Sequence, residues 1–177
     1  RVDLFDASDF PLTINTSAEQ ELLQPRRNFT IGPILGANMM FKREVLKAIG
    51  GFDPDFGPGT PFVCDDIDAV ARASLAGYWG LYTPDVAVSH HHGRKADEAR
   101  ALRRTYAIAV GAYRMKLLLT SGAGFAFWKS SYRTVARFLE GRVGPGSLVL
   151  QVQGAARYAA LRLRRRIVRA VHTVSHP

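Results

Sequence analysis

Three aspartates, Asp65, Asp66 and Asp68, crowd into the positions just after Cys64, and three histidines, His90 to His92, close the same stretch of chain. A carboxylate at the mouth of a Gly/Pro-rich loop can act as a general base, a role worth roughly 10²–10⁴ in rate. Neutral imidazole is a common metal ligand. Both clusters also have ordinary readings. Acids in the first turn of a helix complement its dipole, and successive histidines after a strand can form a surface turn in which only His90 and His92 share a side. Asp53-Pro54-Asp55 has the D-x-D spacing that can hold a divalent cation, but it follows Gly-Gly-Phe, where Asp and Pro are expected turn formers. Cys64 has no cysteine partner in the chain and neighbours negative charge, which raises a thiol pKa, so it reads as a packing residue.

These residues need elements to carry them. Ile67, Val70, Ala71, Ser74 and Leu75 recur at helical spacing up to Gly77, which puts the three aspartates in the first turn of a helix. Upstream, Ile34 to Phe41 reads as a buried strand with close approach at Gly36 and Ala37, followed by a short helix over 42–49 capped by Gly50-Gly51. Phe52 to Phe62 is a loop punctuated by prolines and glycines, of the kind that borders a binding site. Tyr78–Tyr82 and Val86–Ser89 read as short strands, the second delivering the histidines. Residues 1–31 read as an extended lead-in with one short helix near Ala18–Leu23. Past Arg94 the chain turns helical, with one apolar stripe through Leu102, Tyr106, Tyr113 and Leu117. A second stripe runs through Trp128, Tyr132, Val135 and Leu139, and a third through Ala160, Leu163, Ile167, Val171 and Val174.

Composition bounds the function classes. With 177 residues, 47% apolar and 22% charged, the chain is long enough for a real core and is not of disordered type. The net charge of +9 is divided: residues 1–93 hold 7 Lys/Arg against 12 Asp/Glu, and residues 94–177 hold 17 against 3. A single cysteine excludes an internal disulfide and fits a reducing compartment. No apolar run approaches the ~20 residues of a membrane helix, and no signal-peptide pattern opens the sequence.

Five blocks, in order, carry a family resemblance: Gly36-Ala37-Asn38-Met39-Met40-Phe41-Lys42-Arg43, Ile49-Gly50-Gly51-Phe52-Asp53, Gly57-Pro58-Gly59-Thr60-Pro61, Asp65-Asp66-Ile67-Asp68 and Pro84-Asp85-Val86-Ala87-Val88-Ser89-His90. Together they resemble the second half of a family 2 glycosyltransferase of the GT-A fold. The resemblance spans residues 32–94. It implies an α/β fold, with an incomplete GT-A-like, partial Rossmann-like sheet region in residues 1–94 forming the acceptor-side half of a catalytic domain. Residues 95–177 then form a helical, basic C-terminal extension.

The activity implied is an inverting transfer of a hexosyl type from a nucleotide-sugar to a saccharide or lipid-linked acceptor hydroxyl, with Mg²⁺ or Mn²⁺, in polysaccharide or glycoconjugate synthesis. By position, the resemblance makes Asp66 the base, with Asp65 standing where the family more usually has Glu. It puts Gly59, Thr60 and Asp68 near the acceptor, Asn38 and Arg94 on the donor side, and His90 at the metal. In the family the nucleotide pocket and D-x-D motif precede this region, so the expectation is a C-terminal portion of a longer enzyme that is inactive alone. The expected location is cytoplasmic and peripheral at the inner face of the membrane, with the basic tail from Ala155 facing an anionic surface.

Two other classes compete. A basic nucleic-acid-binding module would explain the pI of 10.2, and a non-catalytic peripheral-membrane module would explain the amphipathic tail. Both leave the aspartate cluster without a role, so nucleic acid is not expected as a partner.

Overall fold

The computed structural model describes residues 2–4, 17–26, 35–90 and 96–175. The chain divides into two compact units, Arg1–Tyr106 and Ala107–Pro177.

The first unit is built on helix α2, residues Asp65–Leu75, which buries Ile67, Asp68, Ala69, Ala71, Ala73 and Ser74. It starts abruptly because Cys64 sits at φ 108°, a backbone that side-chain-bearing residues rarely adopt, and it stops at Gly77, whose φ of +94° a glycine takes without strain. Preceding it, α1 spans Arg43–Ala48, and the Gly50-Gly51 pair ends it as the sequence predicts, with the Gly51 N–H donating to the Leu46 carbonyl at 2.8 Å.

The first unit also holds two small two-stranded sheets. Strand β1 (Val2–Leu4) pairs in parallel with β4 (Val88–His90), Leu4 opposite His90, and β2 (Glu21–Leu23) pairs antiparallel with β3 (Gly80–Tyr82), Leu23 opposite Gly80. The helix expected near 18–23 is therefore a strand. Local polar bonds favour the extended form: Ser17 Oγ accepts from the Glu19 N–H, Gln20 reaches Thr83 and Asp85, and the Tyr82 hydroxyl donates to the Ser17 carbonyl. The strand expected over 34–41 is replaced in its described part by a 3-10 turn at Gly36–Asn38, with Met40 left 82% exposed. Side-chain bonds from Asp66 and Asn38 hold that turn, and apolar composition alone does not reveal them.

The second unit is helical. Helix α3 runs Ala96–Leu119 and enters this unit at Ala107, α4 runs Gly124–Leu139, and α5 runs Pro145–Ser175 with Pro at its first position. Helices α3 and α5 cross backbone to backbone. A Cβ on Gly111 would collide with the Gln151 carbonyl, and one on Gly154 with the Ile108 carbonyl. Around the crossing Ala109, Ala112, Tyr113, Leu117 and Tyr158 are buried. The Arg114 guanidinium ties the three helices together, donating to the Ser130 hydroxyl and carbonyl at 3.0 Å and also to Thr134 and Gln151. Burial without a carboxylate partner lowers its pKa to about 10, so it stays charged at neutral pH. Among the described residues, no helix is long and apolar enough to cross a membrane.

Candidate active site around Asp66

Asp66 sits in the first turn of α2, half-buried, with both carboxylate oxygens engaged. Oδ2 accepts the Gly36 N–H at 2.9 Å, and Oδ1 accepts the Ile67 N–H at 2.7 Å. Gly36 is needed for this approach, since a Cβ there would lie 3.2 Å from Oδ2 and 3.3 Å from the Asp66 Cβ. Burial raises the Asp66 pKa, the two backbone N–H bonds oppose the rise, and the neighbouring charge of Asp65 adds to it. The net direction is upward, so the carboxylate is a stronger base than a solvated one.

Asp65 lies against the loop on the other flank, where a Cβ on Gly57 would be 3.4 Å from its carboxyl carbon. That loop closes on itself. The Gly57 N–H donates to the Phe62 carbonyl at 2.7 Å, and the rings of Phe56 and Phe62 meet with centroids 5.8 Å apart. Thr60 is the staple: its Oγ1 lies 2.9 and 2.8 Å from the Gly57 and Phe62 carbonyl oxygens and accepts the Phe62 N–H at 3.2 Å. Gly59, at φ +80°, is exposed at the tip, with open space where a side chain would stand. Of the two loop residues expected near an acceptor, Thr60 is thus occupied in holding the loop, and Gly59 is the one that faces solvent.

Asp68 points away from this chemistry. It is 1% exposed and takes the Arg72 Nε–H at 2.8 Å, while Arg72 Nη1 donates to the carbonyls of Ile49 and Gly51 at 2.6 Å each. The pair clamps the end of α1 to α2. Asn38 donates from Nδ2 to the Val86 carbonyl at 3.0 Å and so ties the 3-10 turn to the segment before β4. It also lines an apolar cavity of about 670 Å³ with Leu35, Met40, Val70, Trp79 and Val86. This is ordinary size for a small-molecule site, but α2 contributes Val70, Ala73 and Ser74 to it, and neither Asp65 nor Asp66 lines it.

The remaining residues of the expected site lie at the edge of the description. His90 ends β4, opposite Leu4 in the register, while His91, His92 and Arg94 fall outside the described residues. Among the described residues no three His, Cys, Asp or Glu side chains come together to hold a metal ion. Asp65 and Asp66 by themselves are an incomplete donor set for Mg²⁺ or Mn²⁺. Cys64 is buried, and burial first, then the three aspartates, push its thiol pKa up, so it is a protonated packing group. Two contacts were not read from the sequence. The close approach expected at Gly36 is that of Asp66, to which its N–H donates, and Arg72 engages Asp68, a pair whose sequence signal is the i,i+4 acid–base spacing.

No protein-family model and no solved structure matches the chain. Two sequences do: the N-acetylglucosaminyl-diphospho-decaprenol L-rhamnosyltransferases of Mycobacterium tuberculosis strains CDC 1551 / Oshkosh and ATCC 25618 / H37Rv. Each is 25% identical over 158 residues, which is 88% of this chain and 45% of the relative. The chain therefore spans about half the length of the curated relatives it matches. The match supports a general relationship to glycosyltransferases.

Proposed function

We propose that these residues form the acceptor side of an inverting glycosyltransferase, in which Asp66 removes the proton from the acceptor hydroxyl. The observation that carries this reading is the Asp66 carboxylate itself. It is held by two backbone N–H groups at the start of α2 and is shifted toward greater basicity by burial, and its neighbour Asp65 lies against the Gly57–Phe62 loop. Its orientation is fixed before any substrate arrives, as general-base catalysis requires.

In the proposed step an acceptor oxygen attacks the anomeric carbon of a nucleotide-sugar. The O–H proton passes to a carboxylate oxygen of Asp66 as the new glycosidic bond forms, and the bond to the nucleotide diphosphate breaks with its electron pair leaving on the diphosphate. One displacement gives one inversion. The raised pKa suits this role, since a base is most useful when its pKa approaches the operating pH. The described donor set is incomplete for a divalent cation, so no step here is assigned to one.

The acceptor class follows the relatives, whose name specifies a sugar on a diphospho-decaprenol. A lipid-linked sugar diphosphate is the acceptor to try first. The test incubates the full-length protein that carries this sequence with a labelled nucleotide-sugar and a prenyl-diphosphate sugar. The expected product is a lipid-linked disaccharide whose new linkage has inverted anomeric configuration by NMR. Retention of configuration, or no transfer with a panel of nucleotide-sugars, would overturn the reading.

A further inference from the structure

The second unit turns an apolar face outward. Along α4, Phe125, Trp128, Tyr132, Val135 and Leu139 follow at spacings of three and four, which confines them to about a quarter of the helix circumference. They are 66, 71, 75, 55 and 78% exposed. The other side of the same helix does the packing, with Ala126 buried and Ser130 and Thr134 bound to Arg114. The internal packing of the unit thus leaves its most aromatic stripe uncovered.

Charge narrows what can cover it. Lys129 and Arg133 follow one edge of the stripe, and α4 carries no acid. Residues 107–177 hold 12 Lys/Arg against a single acid, Glu140. A second copy would bring the same charge of +11 against itself. An anionic lipid surface offers the complement, with negative headgroups above an apolar layer, and Trp, Tyr and Phe are the side chains that settle at that boundary. Helix α5 also exposes Leu163, Ile167 and Val171 beside arginines, but without an exposed aromatic side chain. Its first half is not a free tail, since Gly154 and Tyr158 are packed against α3 or buried in the unit.

We propose that α4 is a membrane-docking helix. It lies in the plane of an anionic bilayer, with Phe125, Trp128, Tyr132, Val135 and Leu139 at the boundary of headgroup and acyl chain and Lys129 and Arg133 at the lipid phosphates. The α5 arginines add attraction at longer range, while the contact itself belongs to α4. This inference stands without the transferase reading, because it uses only the second unit.

The test uses the whole 177-residue chain with Trp79→Phe, which leaves Trp128 as the sole tryptophan. Vesicles of phosphatidylglycerol and phosphatidylcholine with brominated acyl chains should quench and blue-shift its fluorescence. Trp128→Ser/Tyr132→Ser/Leu139→Ser should lower partitioning onto the same vesicles by roughly tenfold or more with circular dichroism unchanged, since binding scales with inserted apolar area. Lys129→Gln/Arg133→Gln should weaken binding and flatten its salt dependence. Absence of quenching, or equal partitioning of the triple variant, would overturn the proposal. So would a dimer in sedimentation that the triple variant dissociates, with no vesicle binding, which would assign the stripe to a second copy.

Discussion

Replacing Asp68 with Ala separates a structural carboxylate from a substrate-binding one. The Asp68 side chain is 2% exposed and Arg72 is 21% exposed, and the pair meets at 2.8 Å between α2 positions one turn apart. Removing the carboxylate leaves a guanidinium with little access to water and no counter-charge, while Arg72 is also the donor that holds the Ile49 and Gly51 carbonyls beyond α1. Breaking a buried pair in this one-sided way costs about 3–5 kcal/mol, and the partial exposure of Arg72 argues for the lower end, about 3 kcal/mol. For a unit of this size that corresponds to a fall in melting temperature on the order of 10 °C or more. Urea and thermal unfolding followed by circular dichroism would measure it. Asp68→Asn, which keeps an acceptor oxygen but not the charge, should fall between Ala and wild type. If Asp68→Ala unfolds with the wild-type midpoint, the clamp contributes nothing, and Asp68 is available for the acceptor role that its place in the motif implied.

Three further outcomes follow from the geometry. Gly111→Ala should destabilise the helical unit by about 1–3 kcal/mol despite the better helix propensity of Ala, because the new methyl meets the Gln151 backbone. Gly124→Ala, which meets nothing, should be neutral or stabilising in the same denaturation series. The raised pKa of Asp66 means that the folded state holds this proton more tightly than the unfolded chain does. The resulting stability is fully present below the ordinary aspartate value of about 4 and is lost as pH rises through the raised folded value. Stability of the wild type relative to Asp66→Asn should therefore decline as pH rises across that window, as calorimetric scans at several pH values would show; a difference independent of pH would contradict the shift.

Strong periodicity made part of this fold legible. The spacing from Ile67 to Leu75 gave α2 and put the aspartates in its first turn, and Gly50-Gly51 marked the end of α1 because two successive positive-φ positions suit glycine. Short segments were harder. Glu21–Leu23 pairs as a strand and Gly36–Asn38 turns, because their conformations depend on partners at Gly80, Thr83, Val86 and Asp66, remote in sequence. The α4 stripe was visible as a pattern, but periodicity does not say whether a stripe faces in or out, and here it faces out. The aspartates could be grouped from sequence; their division of labour could not. That division rests on Gly36 reaching Asp66 and Arg72 reaching Asp68, contacts that only the folded chain reveals.

Whether Asp66 takes the acceptor proton is measured most directly by comparing single-turnover rates of the full-length protein with Asp66→Asn, Asp65→Asn and Asp68→Asn. Asn at position 66 keeps the size of the side chain and removes its basicity. Asp66→Asn should lower the rate by roughly 10²-fold or more with nucleotide-sugar affinity near normal. Asp68→Asn should act mainly on stability, so its rate per folded molecule should stay close to wild type. Retention of most of the rate by Asp66→Asn, with loss in Asp65→Asn, would contradict the account and move the base to the neighbouring carboxylate.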